Sequence, residues 1–265
     1  MASLLIINAN IVNEGFIIQS DILIENQRIA LIGSNLSHHF ADQVIDAAGR
    51  FLLPGMIDSH VNFREPGLTY KGDLETESRA AVAGGITSFM DMPNTAPYVL
   101  SAEAIFGKKS LAQGRSWANY GFYLGAVAEN LEDIKALDTH LVCGVKVLTG
   151  APNHNQMWVD DSDQLEQIFQ HCPVLIAMHC EDMPTILENE ESYRSIYGDQ
   201  IPIELHPVIR SEEACFLSSS TVIALAQAHR ARLHILQLST AHEVELFSTD
   251  LLDTKHITAE VCAHY

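Results

Sequence analysis

Gly55-Met56-Ile57-Asp58-Ser59-His60-Val61-Asn62-Phe63 is a run of strand length, introduced by Leu53-Pro54 and ended by Arg64-Glu65-Pro66-Gly67. It is the first of seven such runs. The others span residues 86–92, 119–125, 144–148, 174–179, 233–238 and 257–262. Between them lie stretches with helical periodicity at 72–83, 162–171, 211–229 and 240–247. Leu165, Ile168 and Phe169 fall on one helical face, and Thr240 with Glu243 has capping-box spacing. Buried strands alternating with amphipathic helices imply a parallel sheet. Seven in series predict an α/β fold of the (β/α)8 barrel type rather than an open sheet. Residues 51–265 fall short of the roughly 250 that a complete barrel takes. The expectation is therefore a barrel missing its last βα unit, with two unpaired edges that invite another chain or instability. Such a chain is a fragment of a longer protein, a degenerate gene product, or a protomer completed by a partner.

Ahead of the barrel, residues 1–50 read as short strands and tight turns. Leu4-Leu5-Ile6-Ile7, Ile22-Leu23-Ile24 and Ile29-Ala30-Leu31-Ile32 are broken at Asn13-Glu14-Gly15, Glu25-Asn26-Gln27 and Gly33-Ser34. This predicts a small β-sheet domain over 1–50 and the barrel over 51–265. The 265 residues are 47% hydrophobic and carry 15 Lys plus Arg against 34 Asp plus Glu, a net charge of −19. Nucleic acid and anionic membrane surfaces are thereby excluded as partners, since each phosphate meets net repulsion. No basic-then-apolar leader opens the sequence, and no apolar run approaches the roughly 20 residues of a bilayer span. Five cysteines form no C-x-x-C pair, and their odd number fits a reducing cytoplasm.

The chemistry gathers at the ends of the strand runs. His60 and Asn62, two apart, point to the same side, into the mouth where barrel enzymes work. The text 53–67 resembles the amidohydrolase superfamily, and Arg64-Glu65-Pro66-Gly67 narrows the resemblance to the dihydroorotases. Met92-Pro93-Asn94-Thr95, His179-Cys180-Glu181-Asp182 and the stretches 206–214 and 257–262 extend it over essentially the whole chain.

The resemblance implies interconversion of carbamoyl-aspartate and dihydroorotate in pyrimidine synthesis, at a two-zinc centre that supplies hydroxide near neutral pH. It implies His60, Lys146 and His179 as metal-site residues, and Arg64 and Asn94 as holders of the substrate carboxylate. Lys146 is the bridging position: a buried lysine with lowered pKa captures CO₂ as a carbamate. Three departures stand against these matches. Asn62 and Gln237 occupy positions where the family has metal-binding histidines, and the family's strand-eight aspartate would lie beyond Tyr265. Amide oxygens are weak zinc donors, so zinc should be weak or partly lost. Without the aspartate a further loss of roughly 10²–10⁴ in rate is expected.

Two readings follow. One is a dihydroorotase-type hydrolase, impaired or inactive in this chain. The other is a non-catalytic dihydroorotase-like subunit that stabilises a pyrimidine-pathway partner such as aspartate transcarbamoylase. An allantoinase or hydantoinase is a third, and a homo-oligomer is expected if no pathway partner takes that role. Single residues keep plainer alternatives: an ion-paired or snorkelling Lys146, a structural His179, and Arg64 paired with Glu65 or Asp91. Arg210 is a second anchor or simply the start of a helix. His154, on a loop that places ligands loosely, is a candidate replacement ligand, and His38-His39 is an exposed pair. Residues 187–200 form a lid or a solvated connection.

Overall fold

The computed structural model describes residues 3–149, 159 and 161–263. Its contacts divide the chain into two compact units, Met1–Met56 and Ile57–Tyr265. In the first, β1 (Ser3–Asn13), β2 (Phe16–Glu25), β3 (Arg28–Gly33), β4 (Gln43–Asp46) and β5 (Phe51–Leu52) form one sheet of order β3-β2-β1-β4, with β5 also on β1. The first two predicted breaks are two-residue hairpin loops, and the third, Gly33-Ser34, ends the edge strand β3. Glu14 and Gly15 close β1 on β2, and Asn26 and Gln27 close β2 on β3, all four with positive φ. That sign matches the right-handed twist of the flanking strands.

The second unit holds the seven expected strands: β6 (Met56–Val61), β7 (Ile86–Asp91), β8 (Asn119–Gly125), β9 (Gly144–Leu148), β10 (Ile176–His179), β11 (Leu233–Ile235) and β12 (Ile257–Ala259). They lie in sequence order in one sheet, and the pairings from β7 to β12 are parallel. The sheet curls into a partial barrel. Tyr123 on β8 donates its hydroxyl to the Ser59 carbonyl at 3.1 Å. Glu260, just past β12, accepts from Ser59 Oγ on β6 at 2.6 Å, so the two ends of the strand order come together.

Period-two geometry sorts the strand side chains. Phe122, Leu124, Val145, Val147, Ile176 and Met178 belong to the large core with the helix residues Leu74, Ile105, Phe169 and Val222. Tyr123 and Ala177, the intervening residues, pack instead with Met92 and Leu236 in a small inner cluster. Lys146 alternates with Val145 and Val147 in the same way and falls on that inner side.

Helices Leu74–Ala83, Ser162–His171 and Glu212–His229 begin at Asp73, Asp161 and Ser211, whose side chains accept from backbone amides in the first turn. Three expectations need correction. The stretch 187–200 is solvent-facing, as the solvated reading has it, but most of it is regular structure: Met183–Tyr197 is a helix, capped by Asp182 and ended at Gly198. It buries only Ile186, so no apolar period announced it. The helix expected at 240–247 is a single turn, Ala241–Val244, with Thr240 accepting from Glu243 N as its spacing implied. A helix at Ala102–Ala112 was not anticipated, because its buried face of Ile105, Lys108 and Ala112 has a lysine at its centre. No helix among the described residues is long and apolar enough to cross a membrane.

Candidate active site

His60, Asn62, Arg64, Asn94, Lys146, His179 and Gln237, the seven residues singled out from the sequence, line one cleft of about 280 Å³. Each is carried there by a strand or by the residues that follow one. His60 is in β6, with Asn62 and Arg64 after it. Asn94 follows β7, Lys146 is central in β9, His179 ends β10 and Gln237 follows β11.

Lys146 is 5% exposed. Burial draws its pKa down to about 7, against an opposing pull from Cys180 and Glu260. No described residue offers its amine a hydrogen bond or an ion pair, so the ion-paired reading finds no described partner, and the side chain lines the cleft. Near neutral pH much of this lysine is a neutral amine.

His60 is tethered. Its Nδ1 lies 2.7 Å from one oxygen of Glu260, whose other oxygen accepts from Ser59 Oγ at 2.6 Å and meets His234 Nε2 at 3.3 Å. Burial alone would raise the Glu260 pKa, but hydrogen bonds from His234, His60 and Ser59 outweigh it and hold the carboxyl well below the usual range. Neither Glu260 nor His234 belongs to the site residues that the resemblance implies. The available signal was a charged and a titratable residue within otherwise apolar strand runs.

Arg64 sits at φ +68, a left-handed conformation costing a non-glycine residue about 1–3 kcal/mol unless its surroundings enforce it. Its Nη1 donates to the Asn94 carbonyl at 3.5 Å, at the limit of a hydrogen bond. Neither expected ion-pair partner is directed at it. Glu65 accepts from Arg115 at 2.8 Å and from Leu74 N at 2.9 Å, and Asp91 pairs with Lys108 at 2.7 Å. Arg210 pairs with Glu181, whose Oε2 also stands 3.6 Å from His179 Nε2, and Ser211 caps the helix that follows. Gln237, at φ +59, makes a long contact of 3.7 Å from Nε2 to Cys262 Sγ. His38 is exposed and His39 half-buried, their rings 4.3 Å apart and tilted by 41°. His154 lies outside the described residues.

The donor set does not fit a two-zinc centre. Zinc takes Cys, His, Asp or Glu, four in a structural site and three plus water in a catalytic one. Among the described residues the cleft offers two imidazoles, one lysine amine, and neutral amides at 62 and 237. Among the described residues no group of three or more His, Cys, Asp or Glu side chains is arranged to hold a metal ion.

Comparison with known proteins gives this arrangement a lineage. An allantoinase of Bacillus velezensis is 28% identical over 263 residues, 97% of this chain and 57% of that protein. A dihydroorotase of Methanosarcina acetivorans is 32% identical over 258 residues, 93% of this chain and 53% of that protein. The solved structure of an L-hydantoinase (dihydropyrimidinase) from Arthrobacter aurescens matches with a TM-score of 0.88 at 26% identity, covering 98% of this chain and 58% of that one. The chain thus spans somewhat more than half the length of these relatives. Residues 51–235 match the amidohydrolase family, and with that match covering more than half of the sequence, the chain belongs to the amidohydrolase family.

Proposed function

We propose that the cleft is a dihydroorotase-type site that holds dihydroorotate or carbamoyl-aspartate by its carboxylate, and that interconversion of the two is impaired in this chain. The observation that supports this most is the convergence of Arg64 and Asn94 with His60, Lys146 and His179 in one cleft. In a chain of net charge −19 an anionic substrate needs a local cationic anchor. Arg64 supplies one, with neither adjacent carboxylate spent on neutralising it. Its planar fork suits a carboxylate, and the Asn94 amide adds a neutral donor.

The reacting end of the ring would face His60, Lys146 and His179. With Nδ1 committed to Glu260, His60 has Nε2 left for a proton, and the neutral amine of Lys146 is a second base. Opening a cyclic amide needs an activated water and a polarised carbonyl. Neutral amides at 62 and 237 can at most hydrogen-bond the carbonyl and are weak zinc donors, so they do not replace the metal that would polarise it and generate hydroxide, which is the physical ground for impairment. That same feature favours the second reading, a non-catalytic subunit stabilising a partner such as aspartate transcarbamoylase. Five free cysteines agree with a cytoplasmic setting.

Named relatives act on allantoin and hydantoin, so the test is comparative. Calorimetric titration should give tighter binding of dihydroorotate and carbamoyl-aspartate than of allantoin or unsubstituted hydantoin. Arg64→Met should remove that preference, a loss of about 10- to 100-fold for a charge-assisted contact. Equal binding of the uncharged ureides would favour the allantoinase or hydantoinase reading. Tight association with purified aspartate transcarbamoylase, without turnover, would favour the subunit reading.

A further inference from the structure

We infer that the buried ion pair between Asp91 and Lys108 is a positioning device that sets Arg64 against Asn94, and so tunes the cleft for a carboxylate. This rests on reading those two residues as the carboxylate-holding pair. Asp91 ends β7 and Lys108 lies on the helix Ala102–Ala112; their side chains are 0% and 1% exposed and 2.7 Å apart. Each partner has a second bond, and the two bonds go to different segments. Asp91 Oδ1 accepts from Phe63 N at 3.0 Å, one residue before Arg64. Lys108 Nζ donates to the Met92 carbonyl at 2.9 Å, two residues before Asn94. One ion pair therefore tethers the backbone leading into both anion-holding residues.

Downstream the two segments meet again. Ala96 N donates to the Pro66 carbonyl at 3.1 Å, and Gly67 comes so close to Ala96 that a Cβ would fall 1.8 Å from the Ala96 oxygen. Arg64 sits between these two fixed points in a left-handed conformation, which persists only when the surroundings enforce it. Stability alone does not explain a fully buried lysine–aspartate pair, because well-packed apolar replacements of such pairs are often neutral or stabilising. The specific bonds to Phe63 and Met92 are what an apolar pair would lack.

The test is the variant Asp91→Leu with Lys108→Met, checked for folding by circular dichroism. Hydrogen exchange in the unliganded full chain should be at least about tenfold faster at the non-proline amides of 63–67 and 92–96, with β9 and β10 unchanged. Dihydroorotate affinity should fall about tenfold or more, while that of dihydrouracil, which lacks the carboxylate, stays level. Unchanged exchange in the two segments, or retained dihydroorotate affinity, overturns the proposal. Should that variant not fold, Asp91→Asn with Lys108→Met keeps an acceptor for Phe63 N and loses the Met92 tether. Exchange should then rise at 92–96 alone, and a uniform rise or none overturns the proposal. Wild-type and Arg64→Met proteins that bind dihydroorotate equally would instead defeat the reading of the cleft, and exchange would still decide for or against the tether.

Discussion

Replacing Lys146 with methionine should stabilise the protein, and the gain should depend on pH. The side chain is 5% exposed, no described residue pairs with it, and burial takes its pKa from 10.5 to about 7. At about 1.4 kcal/mol per pH unit, that gap is a penalty of about 5 kcal/mol for holding the ammonium inside the fold. The native state releases its proton near pH 7 and the unfolded chain near 10.5. Between those values the unfolded state binds more protons, so wild-type stability rises with pH. Below about 7 both states are charged and the penalty is complete; above 10.5 both are neutral and it is gone. Urea unfolding of wild type and Lys146→Met at about pH 6, 7.5 and 9 measures the difference directly. The variant should be more stable by several kcal/mol at pH 6, less so at each step upward. Bicarbonate at pH 8 should stabilise the wild type alone if a carbamate forms on this amine. A variant that is less stable than wild type, or a difference flat with pH, would refute the view that Lys146 is an uncompensated buried amine.

Gly67→Ala should cost about 2 kcal/mol or more, seen as a lower Tm, because the new methyl would meet the Ala96 oxygen at 1.8 Å with φ at +83. Glu260→Ala removes the acceptor for Ser59, His60 and His234; for a carboxylate 18% exposed a loss of about 2 kcal/mol is expected in denaturant unfolding, less for Glu260→Gln. Asn62→His combined with Gln237→His should raise zinc affinity by about 10²-fold or more, at roughly 3 kcal/mol per added ligand, in competition with a chelating dye. An unchanged affinity would place the misfit elsewhere than at those two amides.

Much of the barrel unit was legible because its strands are apolar and its helices amphipathic. Phe122, Val145, Ile176 and Leu233 are fully buried or nearly so, and Leu165, Ile168 and Phe169 form the buried face their spacing implied. What escaped was structure whose burial is small or polar. Met183–Tyr197 buries only Ile186, yet Asp182, Pro184 and Gly198 carried its start and stop signals. Ala102–Ala112 hides Lys108 where periodicity expects an apolar residue. Motif and strand position brought seven residues to one cleft, because period two assigns a face without knowledge of distant contacts. Distant contacts are what sequence does not print. Glu260 reaches His60 across 200 positions, and the commitment of Glu65 to Arg115 and of Asp91 to Lys108 depends on helices folding over the strands.

The most direct test is turnover of dihydroorotate by the purified wild-type chain with zinc and bicarbonate supplied, followed by loss of ring absorbance, on a sample shown to bind the same compound. Binding through Arg64 with no turnover above the metal-and-buffer control is the expected result. Clear turnover, abolished by His179→Ala, would mean that other groups replace the donors missing at 62 and 237, and would contradict the impairment inferred from the cleft.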